Sequence, residues 1–78
     1  MRYDPGGTVT SRQAVQLLKR AGFLHDRTGR HAVYQHPRYP DLSVAVPMHP
    51  GDLSPGVARE IRDYVRTAEQ RDREQEAE

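Results

Sequence analysis

The stretch 42-LSVAV-46 decides the fold of this chain, because larger apolar residues alternate in it with small ones. Leu42, Val44 and Val46 fall on one face of an extended strand, and the two residues between them fall on the other. Such alternation is typical of a strand with one buried face. The stretch therefore predicts a sheet that packs against another layer on one side only.

Two further strands are predicted upstream of this one. The nearer spans about Arg30–His36, and the turn at 37–41 follows it, because two prolines there would each remove a hydrogen-bond donor from a sheet. The farther strand ends at 26-DRTG-29, a turn-rich sequence that suits a hairpin. Three strands joined by hairpins form an antiparallel sheet.

A helix is predicted before the strands, over Ser11–Ala21. The sequence 10-TSRQ-13 matches a capping box, in which the Thr hydroxyl and the Gln side chain satisfy two free amides. Gly22 stands where a left-handed residue commonly ends a helix. Helical spacing of three and four residues joins the apolar positions Ala14, Leu17, Leu18 and Ala21.

A second helix is predicted after the strands, starting with Ser54 as N-cap and Pro55 in its first turn. Its apolar stripe consists of Val57, Ile61, Tyr64, Val65 and Ala68. Residues 69–78 lose this stripe and carry two basic against five acidic side chains. They are predicted either to extend the helix in solvent or to fray into a tail.

The predicted fold class is therefore α+β, with the order α-β-β-β-α. Two helices cover one face of a three-stranded antiparallel sheet in a two-layer arrangement, similar in outline to the double-stranded-RNA-binding fold. Residues 1–9, rich in Pro and Gly, are predicted to form a flexible arm. The folded domain is predicted over 10–68, and the charged extension over 69–78.

The composition excludes several classes of function. A chain of 78 residues that is 35% apolar has too few side chains to enclose a deep cofactor cleft. The absence of cysteine excludes disulfides, thiolate zinc sites and cysteine nucleophiles. No apolar run approaches the roughly 18 residues of a membrane span, and no secretory signal is present. We therefore expect a cytoplasmic domain with no membrane partner and no small-molecule cofactor.

Basic residues concentrate in the first half of the chain, although the net charge is only +1. Residues 11–38 contain six basic side chains and one acidic side chain, and eleven of the twelve basic residues in the chain are Arg. The guanidinium fork suits bidentate phosphate contacts. The predicted RNA-binding cations are Lys19, Arg20, Arg27 and Arg30, and the alternative is an ordinary solvated surface.

Four histidines are the candidates for acid–base chemistry at neutral pH: His25, His31, His36 and His49. Their separations match no standard metal-ligand pair, so no metal site is predicted. His36 adjoins Pro37 and is assigned to the turn. His49 lies in a loop, and one reading is a loop histidine that hydrogen-bonds locally.

His31 is the predicted catalytic residue, because it follows a Gly turn, opens a strand and has Arg27 and Arg30 before it. An imidazole there can remove a ribose 2′-hydroxyl proton while that oxygen attacks the adjacent phosphorus. Arginines stabilise the charge that develops on the phosphorane oxygens. The alternative reading is a surface histidine that caps the turn.

Several motifs in order make the chain resemble the HicA family of toxin mRNA interferases. They are 22-GF-23, 27-RTGRH-31, 33-VYQHP-37, 44-VAVPMH-49 and 53-LSPGVAREI-61. The resemblance covers about residues 10–66. It implies a double-stranded-RNA-binding-like fold, cleavage of mRNA by the strand histidine, here His31, and a neutralising HicB-type antitoxin protein. The resemblance also matches His49 to the second histidine of the family, which implies a proton donor or a phosphate contact as the alternative to a local hydrogen bond.

One position departs from the family pattern: Arg30 stands where the family usually has Ser. Arg30 either keeps and strengthens the phosphate contact or crowds the imidazole and removes an orienting hydroxyl. Three hypotheses follow. The chain is a metal-independent endoribonuclease, an RNA-binding module that has lost catalysis through Arg30, or a module that mainly binds a partner protein.

Overall fold

The computed structural model describes residues 8–77 and has the predicted α+β order. Its elements are α1 (Ser11–Arg20), β1 (Leu24–Thr28), β2 (Ala32–Gln35), β3 (Ser43–Val46) and α2 (Pro55–Glu76). The strands form one antiparallel sheet in the order β1-β2-β3, so β2 is central. Both helices contact β3 and each other, which gives a two-layer domain.

The alternation in 42–46 is confirmed as the division between the two faces of the sheet. Leu42, Val44 and Val46 are buried, whereas Ser43 and Ala45 are exposed. The pairs Ala32–Val46 and Tyr34–Val44 place the buried residues of β2 on the same face. The largest fully buried side chains are Phe23, Leu18, Ile61 and Val46. One face of the sheet thus carries the core, and the other faces solvent.

The capping box of α1 is confirmed in both directions. The Gln13 amide donates to the Thr10 hydroxyl over 3.1 Å, and the Thr10 amide donates to the Gln13 side-chain oxygen over 3.0 Å. The helix ends at Arg20, one residue earlier than predicted. Gly22 has the left-handed φ of +99° that its position predicts, and the Phe23 amide donates to the Leu18 carbonyl.

The predicted turn at 26–29 is wrong, because β1 continues through Thr28 and the turn lies at Gly29–His31. β2 is correspondingly shorter than the predicted strand and starts at Ala32. All five residues of β1 are exposed, and β1 is an edge strand of the sheet. An edge strand that is solvated on both faces shows no apolar alternation, so its polar sequence predicted a turn instead of a strand.

The charged extension continues α2 as a helix to Glu76, one of the two predicted outcomes. Arg71 donates two hydrogen bonds to the Asp41 carboxylate, at 3.0 and 2.9 Å. Asp72 accepts hydrogen bonds from the Tyr39 hydroxyl at 2.6 Å and from Arg38 at 3.1 Å. Burial first, and then this bond to Asp72, raise the pKa of the Tyr39 hydroxyl above its ordinary value. The extension is therefore attached to the turn that follows β2.

The predicted N-terminal arm is described only at its end, since residues 1–7 lie outside the described residues. Val9 is buried in the core, and its carbonyl accepts a 2.7 Å hydrogen bond from the Leu53 amide. Thr10 also bridges to Asp52. The part of the predicted arm that the structure describes is thus packed against the segment before α2.

We expect Gly22→Ala to lower the free energy of unfolding by about 2 kcal/mol or more, because L-residues are strained at this φ. A Cβ at Gly22 would also lie 2.8 Å from Nε2 of the buried His36. Urea denaturation measures the change. The matched control is Gly56→Ala in the first turn of α2, where a Cβ meets no atom within 4 Å. Equal effects of the two substitutions would contradict the prediction.

We expect the stability of the wild type relative to Asp41→Asn to depend on pH. The hydrogen bonds from Arg71 hold the pKa of the Asp41 carboxyl below its ordinary value. A lowered folded pKa means that the stabilisation is present above the unfolded pKa, about 4, and is lost as pH falls through the folded pKa. Denaturation at pH 7 and at pH 3 should show a difference that shrinks at the lower pH.

The control for this prediction is Asp63→Asn, because the carboxylate of Asp63 lies 3.9 Å from Arg66 and both side chains are exposed. Its effect on stability should be smaller at pH 7. A difference between wild type and Asp41→Asn that is the same at both pH values would refute the role assigned to this ion pair.

Candidate active site

His31 lies in the turn between β1 and β2, at one end of the sheet. Thr28 pairs with Ala32, so Gly29, Arg30 and His31 form a three-residue connection. The Gly29 amide donates to the His31 carbonyl over 3.1 Å, which closes the turn. His31 is exposed, and among residues 8–77 no other group hydrogen-bonds its ring. Its imidazole is open to a substrate from solvent.

The loop after β3 brings His49 to the same end of the sheet. Because Ala32 pairs with Val46, the residue before Ala32 lies beside the residue after Val46. The buried Ser11 hydroxyl at the start of α1 lies 2.6 Å from the Pro47 carbonyl and 3.4 Å from the His49 amide, which donates to it. The start of α1 therefore holds this loop in place.

The ring of His49 is oriented by its own loop. Its Nδ1 lies 2.9 Å from the Pro50 carbonyl, and a carbonyl oxygen only accepts. Nδ1 therefore carries the proton of this hydrogen bond, and Nε2 has no hydrogen-bond partner among the described residues. His49 thus both hydrogen-bonds locally and presents one free ring nitrogen, so the two predicted alternatives for it are compatible.

The predicted cations divide between the two ends of the sheet. Arg30 is exposed beside His31 and makes no ion pair within the part of the chain that the structure describes. Arg27 pairs with Val33 on the open face of the sheet and contacts Asp26 at 2.6 Å. Both cations are near the His31 turn.

Lys19 and Arg20 lie in the last turn of α1. The chain passes from there through Gly22 to the start of β1, which is the end of the sheet away from His31. Ten helical residues separate the two ends of α1 by about 15 Å. At their position these cations complement the partial negative charge of the helix C-terminus.

His36 is a buried part of the core, with 4% of its surface exposed. Its Nε2 lies 3.0 Å from the Ala21 carbonyl, and its Nδ1 accepts the Arg38 amide over 3.1 Å. The ring packs edge-on against Phe23 and beside Tyr39, with centroid distances of 5.2 and 4.6 Å. His36 joins the end of α1 to the turn after β2 and does not reach a substrate.

His25, to which the sequence assigns no role, makes a specific contact near the His31 turn. Its Nε2 lies 2.5 Å from the Thr28 hydroxyl, and its ring stands edge-on to Tyr34 at 5.4 Å. The contact was missed because residues 25–28 were assigned to the end of a strand and a turn. Among residues 8–77, no three His, Asp or Glu side chains gather as metal ligands.

These features are those of a small α+β domain with two exposed imidazoles at one end of its sheet. A family model described as the HicA toxin of bacterial toxin–antitoxin systems matches residues 11–70, from the start of α1 into the extension of α2. The chain belongs to the HicA family and is a toxin of the toxin–antitoxin type, which implies an antitoxin partner. The resemblance drawn from the motifs is thereby confirmed.

No curated protein and no solved structure matches the chain significantly. Within residues 8–77, neither helix combines the length and the apolar character that crossing a bilayer requires.

We expect His36→Ala to lower the free energy of unfolding by more than about 2 kcal/mol. It would leave the buried Ala21 carbonyl without its partner, at about 1–3 kcal/mol, and break the part-buried hydrogen bond from the Arg38 amide. It would also remove the ring that Phe23 and Tyr39 contact. The matched control is His49→Ala, whose ring is exposed. Thermal or urea denaturation that shows both variants equally stable would refute the assignment of His36 to the core.

Proposed function

We propose that this HicA toxin is a metal-independent endoribonuclease that cleaves mRNA, with His31 as its catalytic residue, and that a HicB-type antitoxin neutralises it. The observation that carries the proposal is the position of His31 and His49. Both are exposed, and the register of β2 against β3 brings them to the same end of the sheet. Arg30 precedes His31 in the same turn.

Cleavage through the ribose 2′-oxygen requires two proton transfers. The 2′-hydroxyl loses its proton as its oxygen bonds to phosphorus, and the 5′-oxygen gains a proton as its bond to phosphorus breaks. The products are a 2′,3′-cyclic phosphate and a 5′-hydroxyl. In this proposal His31 acts as the general base or acid. The free Nε2 of His49 is available for the complementary proton transfer or for a phosphate contact.

The cations act on the phosphates in two ways. Arg30, with no ion pair to break among the described residues, is free to stabilise the charge on the phosphorane oxygens. Lys19 and Arg20, about one helix length away, would contact phosphates distant from the scissile bond. Such contacts position the RNA and do not read its sequence.

The burial of two aromatic residues prevents them from stacking on RNA bases. Tyr34 and Tyr39 are each 6% exposed, so neither offers a face for a splayed base. We therefore expect phosphate contacts to dominate RNA binding, so that the affinity falls steeply with salt. RNA binding of this kind without cleavage would favour the second hypothesis, an RNA-binding module that has lost catalysis through Arg30.

We expect His31→Ala to lower the rate of RNA cleavage by about 10²–10⁴-fold, the usual contribution of a positioned general acid or base. The assay uses purified RNA with excess chelator and follows the cyclic phosphate product. The control is Arg66→Gln on the exposed side of α2, 12 residues after Ser54, which should cleave at the wild-type rate.

Chelator-resistant cleavage that survives His31→Ala would overturn the assignment. Absence of cleavage and of RNA binding, with tight binding of a partner protein, would favour the protein-interaction module.

A further inference from the structure

The irregularity in β1 changes which side chains of this strand share a face. His25 pairs with Tyr34 and Arg27 pairs with Val33, so Asp26 is an extra residue, a β-bulge. In a regular strand, residues three apart point to opposite faces. The bulge adds one residue to β1, so His25 and Thr28 point to the same face of the sheet. Their partners on β2, Tyr34 and Ala32, point to that face as well.

The bulge allows the imidazole of His25 to reach the hydroxyl of Thr28. Nε2 and Oγ1 are 2.5 Å apart, although both residues are exposed. The ring of His25 also stands edge-on to Tyr34, with an interplanar angle of 73°, and Tyr34 is itself buried. A fixed aromatic neighbour on one side and a hydrogen bond on the other hold this imidazole at the surface.

Thr28 is the last residue of β1 and directly precedes the turn that carries Arg30 and His31. Paired residues on adjacent strands have Cβ atoms about 5 Å apart, so the Thr28 hydroxyl lies close to Ala32, the residue that follows His31. The Thr28 hydroxyl therefore lies at the same end of the sheet as His31 and His49. Neither the core nor the ion pairs of the fold use this hydroxyl.

We propose that Thr28 and His25 are positioning residues for RNA cleavage, an inference that rests on the proposed function. When Nε2–H of His25 donates to Oγ1, the single hydroxyl proton of Thr28 is directed away from the ring. It then donates to a non-bridging oxygen of the scissile phosphate, which holds the phosphorus near His31. His25 acts through Thr28 and exchanges no proton with the RNA.

The experiment compares cleavage of a short RNA, with excess chelator, by the full chain and four variants. Thr28→Val removes only the hydroxyl, and Thr28→Ser restores it. His25→Phe keeps the ring against Tyr34 but removes Nε2, and the double variant combines Thr28→Val with His25→Phe. The unfolding midpoint of each protein in urea is measured as well. It should change if the two residues have only a structural role, and it should stay the same if they position the RNA.

We expect Thr28→Val to lower kcat by about 10-fold or more, as removal of a hydrogen bond to a charged oxygen does. The Thr28→Ser variant should cleave RNA at a rate within about 3-fold of the wild-type rate, a much smaller change than the loss expected for Thr28→Val. The double variant should be no slower than Thr28→Val alone, because residues that act as one unit have non-additive effects. Unfolding midpoints should not change.

Two results would overturn the inference while leaving the proposed function in place. They are a Thr28→Val variant as fast as the wild type, and effects of the two substitutions that multiply in the double variant. If the wild type itself does not cleave RNA, the proposed function fails and this inference fails with it.

Discussion

The packing of His36 against Gly22 is the constraint on which the rest of the domain depends. The imidazole touches the carbonyl that ends α1, accepts the amide of the turn after β2, and packs against Phe23 and Tyr39. It lies so close to Gly22 that the glycine has no room for a side chain. Two segments 15 residues apart, the end of α1 and the turn after β2, are thereby fixed at one point, and the direction in which β1 leaves α1 follows from it.

This arrangement gives the sheet two different ends. At the end near His36, α2 reaches over the turn after β2, and Tyr39, Asp72, Arg71 and Asp41 form its contacts. At the other end, the His31 turn and the loop after β3 stay exposed. The central strand β2 thus has a structural histidine directly after it and the proposed catalytic histidine directly before it. Their chemistry differs because their burial differs.

The same geometry accounts for the charge distribution of a domain whose net charge is only +1. The acidic extension of α2 is held at the His36 end by Arg71 and Asp72, away from the His31 turn. Local cations such as Arg30 therefore face solvent without acidic side chains from the extension beside them. Electrostatic attraction of a phosphate chain depends on this local field and is screened within about 10 Å at ordinary salt, so the low net charge does not oppose it.

The sequence by itself determined the order of elements, both helix starts, the left-handed Gly22 and the buried face of β3. Each of these depends on neighbours within a few residues: a capping box, a hydroxyl followed by proline, a period of two. The family followed from motifs in order, and His31 was singled out by its place after a Gly turn.

Only the tertiary structure decided the length of β1 and the bulge at Asp26, because a solvated edge strand has no apolar period and its pairing is set by β2. It also decided that His36 is buried, that His49 lies at the same sheet end as His31 whereas Lys19 and Arg20 do not, and that His25 reaches Thr28. Those relations depend on strand register and on packing between segments up to 38 residues apart, such as Ser11 and His49, which local sequence patterns do not encode.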